Sequence, residues 1–482
     1  MKQKKGALAV NAVLNAIKQI FSIIFPLITF PYASRVLGAK NYGKIGFSSS
    51  VVSYANLLAG LGIYNYAIRE GAKCRNDKKV LNEFIKEVFT LNVISTILAY
   101  ILLIISVISY PKLQEYNLLI AINSLRIAFN TLGRDWVNTI FEDYKYITLR
   151  YIITQSLAIV LMFLLVHNRD DFYIYAITSI SGLIAANIMN VFHISTSFGI
   201  KIEFSQIGLC KRHLKSVIIL FGTAVATQIY INSDITIIGI FLDDIDIGYY
   251  SVAVKIYTLV KTLINALLMV AIPRFSFELS QGKETNVNIQ LSVILDILII
   301  ILLPAMAGII LFSPQIIHLV AGYEYISGSS MSLRILGIAL IFACLGCFYI
   351  YVVMLPRNME KQILYISIIS AAVNLLLNIF LVPYFGICVA AASTVISEFF
   401  MFFFGYFLAR KFFVYRSFKG WLTGFLGIII VLFSYISVNK ICENDFVRLF
   451  TALIMDLFIY GIVVVLLNKK EFRKLFSGIN KQ

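Results

Sequence analysis

The chain reads as an all-α polytopic membrane protein of about fourteen transmembrane helices. Apolar blocks about twenty residues long alternate with short polar connectors along all 482 residues. Hydrophobic residues make up 60% and charged residues 14%, with a mean hydropathy of +0.86. Lys and Arg gather on every second connector. A water-soluble fold of this composition would lack the polar residues to cover its surface, whereas a helix of about twenty apolar residues crosses about 30 Å of hydrocarbon.

In chain order the apolar segments run near Ala7–Tyr32, Ile45–Ile68, Val88–Tyr110, Leu118–Thr139, Tyr151–Val166 and Phe172–Phe192. Eight more follow near Ser216–Leu242, Tyr249–Ile272, Val287–Phe312, Met331–Leu355, Ile363–Tyr384, Ile387–Leu408, Trp421–Val438 and Val447–Leu467. Basic residues near helix ends are retained on the cytoplasmic side. One set of connectors holds Lys73, Arg75, Lys78, Lys79 and Lys86, then Lys145 and Arg150, then Lys211, Arg212 and Lys215, and later Arg410 and Lys411. Lys2, Lys4 and Lys5 before the first helix, and Lys469, Lys470, Arg473 and Lys474 after the last, belong with that set. Both termini are therefore expected in the cytoplasm, which requires an even number of crossings.

The net charge of +16 is spread over membrane-flanking loops, where it faces an anionic lipid bilayer, so no nucleic-acid partner is expected. Six scattered cysteines imply no disulfide framework, and Cys344 and Cys347 sit in an apolar helix as packing residues. The four histidines lie far apart, and neither a metal nor a cofactor is expected. The first apolar segment is longer than a signal-peptide core and carries Asn11, Asn15 and Lys18, so it reads as a retained helix.

Polar groups inside the helices mark the candidate site. A charge at the bilayer centre costs at least about 2.5–3.5 kcal/mol, so it must face protein or water. Asn11, Asn15, Lys18 and Ser22 share one face of the first helix, and Lys18 lies too deep to reach an interface. Ser49, Ser53 and Asn56 repeat the stripe in the second helix, Thr223, Thr227 and Asp234 in the seventh, and Ser251, Lys255 and Thr258 in the eighth. Arg126 in the fourth helix and Arg334 near the outer end of the tenth add cations. Such stripes either glue helices together or line an aqueous cavity. Lys18, Arg126 and Lys255 favour the cavity, because cations gain little from helix packing. Asp234, on the face of Thr223 and Thr227, either pairs with Lys255 or accepts a coupling cation, while Asp296 and Glu398 are single acids in apolar helices, either protonated packing groups or ion-coupling groups. LGAKNYG, Leu37–Gly43, is echoed by LDDIDIG, Leu242–Gly248, ahead of a polar-faced helix in each half, as an internal duplication would leave.

PLITFPYASRVLGAKNYGKIGF from Pro26, LGIYNYAIRE from Leu61 and DWVNTIFEDYKYITLR from Asp135 resemble the polysaccharide flippases that export O-antigen repeat units, the Wzx/RfbX type. GYYSVAVKI from Gly248, LRILGIALIF from Leu333 and NLLLNIFLVPYFGICVAAASTVISEF from Asn374 extend the likeness over nearly the whole chain. The resemblance implies a MATE-like fold of the MOP superfamily, with two pseudo-symmetric six-helix bundles plus two C-terminal helices. On this chain the parts would be residues 1–200, 201–415 and 416–482, the last with a basic cytoplasmic tail. It implies a bacterial cytoplasmic-membrane transporter, not an enzyme, that turns undecaprenyl-diphosphate-linked oligosaccharide units to the outer leaflet by alternating access. An H+ or Na+ gradient would drive it, with a polymerase and a chain-length regulator as partners, for O-antigen or capsule.

On that reading Lys18, Arg126, Lys255 and Arg334 meet the diphosphate, and Asn11, Asn15, Asn56 and Thr227 the sugar hydroxyls. Arg35 and Arg69 either gate the cavity or anchor at the interface. The rivals are a MATE-type multidrug antiporter, which several mid-helix cations disfavour, and a membrane-embedded polysaccharide polymerase. The polymerase would need a sizeable outer loop or a cluster of carboxylates and histidines, and the sequence has neither.

Overall fold

The computed structural model describes the backbone of residues 5–479 except 270, 271, 273, 274, 276, 277, 280, 283 and 416. The side chains of 5–9, 12, 223, 226, 227, 230, 231, 269, 285, 286 and 468–479 also lie outside the described residues. Two compact units emerge, Met1–Gly248 and Tyr249–Gln482. The described residues hold helices and no strand, and eleven helical stretches among them are long and apolar enough to cross a membrane.

In the first unit, α1 (Lys5–Gly60) carries the first two predicted segments as one helix of 56 residues, bent at Gly38, where φ is 72°. Only a residue without Cβ takes that conformation at no steric cost. The second predicted segment ends early, because Leu61 (φ 44°) and Gly62 (φ 70°) break the chain before α2 (Ile63–Cys74). Then come α3 (Lys78–Ser109), α4 (Pro111–Gln114), α5 (Asn117–Gly133) and α6 (Asp135–Ile140). Asp77 starts α3 by accepting from the backbone N–H groups of Lys79 (2.9 Å) and Val80 (3.2 Å). The fourth predicted segment is split between α5 and α6 at Arg134, which is left-handed at φ 48°. The unit continues with α7 (Tyr144–Leu165), α8 (Phe172–Phe198) and α9 (Ile207–Phe241), and ends in the first turn of α10 (Asp244–Met269).

The α3 helix shows what solvent the fold is built for. Glu87, Thr90, Asn92, Ser95 and Thr96 are buried, while Ile97, Leu98, Ile101, Ile104, Ile105 and Ile108 are exposed. That inverts the pattern of a soluble helix and suits one whose polar groups meet protein and whose apolar face meets lipid. Asn92 and Ser95 both donate to the carbonyl of Ala59 in α1, at 2.8 and 2.6 Å.

The two echoed turns pack on each other. A Cβ on Gly43 would overlap the carbonyl oxygen of Asp244, and one on Gly248 would overlap that of Ala39, so each glycine admits the backbone of the other turn. Nearby, Lys112 donates to the carbonyls of Ile240 (3.3 Å) and Leu242 (2.7 Å), closing the C-terminus of α9, and Tyr116 donates to Asp244.

The second unit continues α10 and adds α11 (Glu284–Leu311), α12 (Ser313–Ala321) and α13 (Ile326–Cys347). A buried π-helical turn, Phe348–Met354, extends α13 over the rest of the tenth predicted segment. Then follow α14 (Glu360–Phe385), α15 (Ile387–Ala409), α16 (Lys419–Ile441) and α17 (Asp445–Ile479). The last pair packs as a hairpin, with α16 against α11.

Gly43→Val and Gly248→Val should each destabilise the protein by about 1–3 kcal/mol through overpacking against a backbone that is unable to move aside. Thermal unfolding in detergent should show a lowered midpoint for both. Gly60→Ala, with nothing within 4 Å of its added Cβ, should leave the midpoint unchanged. Equal midpoints for all three would contradict the reciprocal packing.

Candidate functional site

Within the first unit the helices enclose a cavity of about 470 Å³. Lys18 reaches it from α1 and Arg150 from the start of α7, and the first residue of α6, Asp135, supplies a carboxylate. Five amides share the lining: Asn56, Asn92, Asn130, Asn187 and Gln155. Tyr64, Trp136 and Tyr151 add aromatic faces. The left-handed turn at Arg134 lets the chain leave α5 and restart as α6 along the same wall.

Lys18 is half-buried, with Nζ 5.8 Å from the centroid of the Tyr151 ring, and no carboxylate of its unit bridges to it among the described residues. Asn187 donates to Asn130 (3.3 Å), and Asn130 donates to Asn56 (3.1 Å), so three helices contribute to one amide chain. Arg150 is 5% exposed and its Nη2 donates to Asp135, which also accepts from Asn190 at 3.3 Å. This combination of amides, aromatic faces and un-neutralised positive charge suits a hydroxyl-rich anionic ligand.

Of the residues the sequence singled out, Lys18 and Asn56 line the cavity. Asn11, half-buried, and Asn15, exposed, lie outside its lining, and the Thr227 side chain lies outside the described residues. Arg126 is also off the lining, with Nη2 3.3 Å from Asn123 Oδ1 and a buried Nε that has no acceptor. Arg35 and Arg69 are exposed, and Arg69 pairs with Glu70 at 2.9 Å. In the second unit Lys255 is half-buried, and no described carboxylate of that unit bridges to it. Arg334 is exposed and donates to Ser313 at 3.0 Å.

The three acids differ in their surroundings. Asp234 is half-buried on α9. Asp296 is buried and accepts from the Tyr415 hydroxyl, from Ser417 (3.1 Å) and from the N–H of Gly420 (2.9 Å), so it caps the start of α16 from another helix. Glu398 is 2% exposed and accepts from Lys261 (2.5 Å) and Tyr257 (3.1 Å). Lys261 is thus an interior ion-pair partner.

Sequence reasoning missed Arg150, Asp135 and Trp136 because it assigned Arg150 to a basic connector and the DW pair to a helix end. The one available signal was the DWVNTIFEDYKYITLR motif, whose first and last residues form the ion pair. It also missed a buried cluster joining α2, α3 and α9. Glu87, 3% exposed, accepts from Arg212 through two N–H groups (2.7 and 2.8 Å) and lies 2.7 Å from His213 Nε2, while Tyr66 lies 2.6 Å from His213 Nδ1. Glu87→Ala should lower stability by about 1–3 kcal/mol, because the buried His213 loses its acceptor while Arg212 turns to water. Scanning calorimetry checks this, and an unchanged unfolding midpoint would show that the cluster contributes nothing.

Comparison with known proteins agrees with this architecture. The chain is 24% identical over 288 residues to a protein of Escherichia coli (strain K12) named "Putative O-antigen transporter", spanning 60% of this chain and 69% of that one. It superposes on a solved structure of the lipid II flippase MurJ in an inward closed conformation with a TM-score of 0.76, at 19% identity, covering 95% of this chain and all of the other. An inward-facing multidrug resistance MATE family transporter of the MOP superfamily gives a TM-score of 0.57 at 13% identity, over 81% of this chain and 97% of that one. These likenesses bear out the MATE-like helical fold expected from the sequence. A match to the family described as polysaccharide biosynthesis protein runs over residues 8–277, more than half of the 482, and the chain belongs to that family.

Proposed function

We propose that this protein is a flippase for lipid-linked oligosaccharide, moving undecaprenyl-diphosphate-linked repeat units from the inner to the outer leaflet of the bacterial cytoplasmic membrane. The observation that carries the reading is the first unit's cavity, with Lys18 un-neutralised among amides and aromatic rings. A sugar and a diphosphate are strongly disfavoured in hydrocarbon, while a polyprenyl tail is at home there. A wet, cationic cavity inside an apolar shell lets the head pass while the tail stays in lipid. Amides exchange hydrogen bonds with hydroxyls that shed water, and aromatic faces cover the apolar faces of sugar rings. The name of the E. coli relative supports this reading, as does the fold shared with a lipid II flippase.

A multidrug exporter of organic cations would need an unpaired acidic site. Among the described residues, the one carboxylate lining this cavity is paired with Arg150. Both termini lie in the cytoplasm on this reading, as the basic connectors require. An H+ or Na+ gradient supplies the energy, with Asp234 as the coupling acid we put forward. The protein carries out transport and no bond chemistry, and it hands its cargo to a polymerase and a chain-length regulator.

Complementation of a flippase-deficient strain, read as surface polysaccharide, tests the account. Lys18→Arg and Lys255→Arg should retain part of the export, and Lys18→Ala and Lys255→Ala should lose most of it, since about 1.5–3 kcal/mol of charge-assisted hydrogen bonding goes with each ammonium. Full export by both alanine variants would remove cationic steering of the diphosphate.

A further inference from the structure

The floor of the first unit's cavity holds more hydrogen-bond donors than the protein itself satisfies. Arg150 is 95% buried by its 5% exposure, and its Nε and Nη1 have no acceptor. Trp136, 4% exposed and also lining the cavity, leaves its indole Nε1–H without one. Unmade hydrogen bonds inside a fold are costly, so three on residues of one cavity lining mark a site built for an acceptor-rich ligand. The remaining arginine nitrogen, Nη2, bonds Asp135, whose side chain is 39% exposed while its partner's is 4%. A buried guanidinium is thus held by a carboxylate that water and ligand can reach. Tyr146 lies beneath the guanidinium, 5.3 Å from its carbon to the ring centroid, and Asn190 holds Asp135 from α8. The Tyr146 ring keeps the arginine fork in place if the carboxylate moves, and Asn190 gives the carboxylate a second partner.

We propose that Arg150 and Trp136 form an oxyanion subsite for the transported headgroup, with Asp135 as the resident counterion that the ligand's anionic group displaces. The proposal rests on the flippase reading and adds to it the point of contact. Among the described residues the lining carries two cations, Lys18 and Arg150, against the single carboxylate of Asp135. Displacing that carboxylate frees Arg150 to meet the ligand beside the unpaired Lys18, and returning it releases the ligand. Asp135 is therefore a positioning residue that sets affinity, and the ligand chemistry is a phosphate of the diphosphate or a carboxylate of an acidic sugar.

The two tryptophans of the chain make the test direct, because Trp421→Phe leaves Trp136 as the sole indole reporter. The full-length Trp421→Phe protein in phosphatidylcholine nanodiscs is titrated with pyrophosphate, glucuronate and glucose while Trp136 emission is followed. A saturable change with pyrophosphate or glucuronate, and none with glucose, is expected, and whichever anion saturates identifies the source of the charge. Asp135→Asn should tighten binding about tenfold, the equivalent of about 1.4 kcal/mol, because the ligand no longer competes with a resident anion. Arg150→Gln should weaken it at least about tenfold. The gain in Asp135→Asn is a result no misfolded variant can produce.

Flat titrations with both anions, or weaker binding in Asp135→Asn, would overturn the subsite. Transport of lipid-linked glycan by wild-type proteoliposomes alongside flat titrations would overturn the subsite and leave the flippase reading standing. Saturable pyrophosphate binding by a protein that moves no lipid-linked glycan would support the subsite and overturn the flippase reading.

Discussion

Hydrocarbon offers no partner to a hydrogen-bonding group, and that constraint organises each unit of this protein. Every amide, hydroxyl and charge along the spanning helices has to find protein or enclosed water. The outcome is visible on α3, where acid, amide and hydroxyl groups are buried and isoleucines face out. It is visible again in the second unit, where Asn374, Asn378 and Ser393 bond one another in the interior. Because the polar faces of several helices must converge, an interior with spare polar groups follows from the solvent outside. The cavity of the first unit is where that convergence leaves room for a ligand.

Close backbone approach supplies the second organising element. Without a hydrophobic driving force between helices in lipid, contact depends on packing and on small residues. The paired glycines Gly43 and Gly248 bring two echoed turns together by admitting one another's neighbouring carbonyls. Lys112, at the same end, closes the last carbonyls of α9. A basic residue of a short connector thus serves as a helix cap, as does the buried acid Asp296 in the second unit.

Interior charges fall into two kinds. Glu87 with Arg212 and His213, and Lys261 with Glu398, are matched pairs whose partners satisfy them. Lys18 and the two unbonded nitrogens of Arg150 are different, because they add positive charge and donors that the lining does not match. A burden of this kind is tolerated where a ligand relieves it, and the amide content and the charge of the lining suit the same ligand.

The amino-acid order alone determined the helical class, the approximate positions of the spans, and the faces on which Lys18 and Asn56 lie. Hydrocarbon imposes a local rule of composition over about twenty residues, and local rules can be read locally. The pairing of charges was decided by tertiary structure. Asp135 and Arg150 lie 15 positions apart, Gly420 and Asp296 lie 124 apart, Glu87 and His213 lie 126 apart, and Lys261 and Glu398 lie 137 apart. No periodicity spans such separations, so the sequence placed Arg150 in a connector and left Asp296 between a packing and a coupling role. Breaks at Leu61 and Arg134 were equally hidden, because a left-handed residue inside an apolar run leaves the composition of that run unchanged.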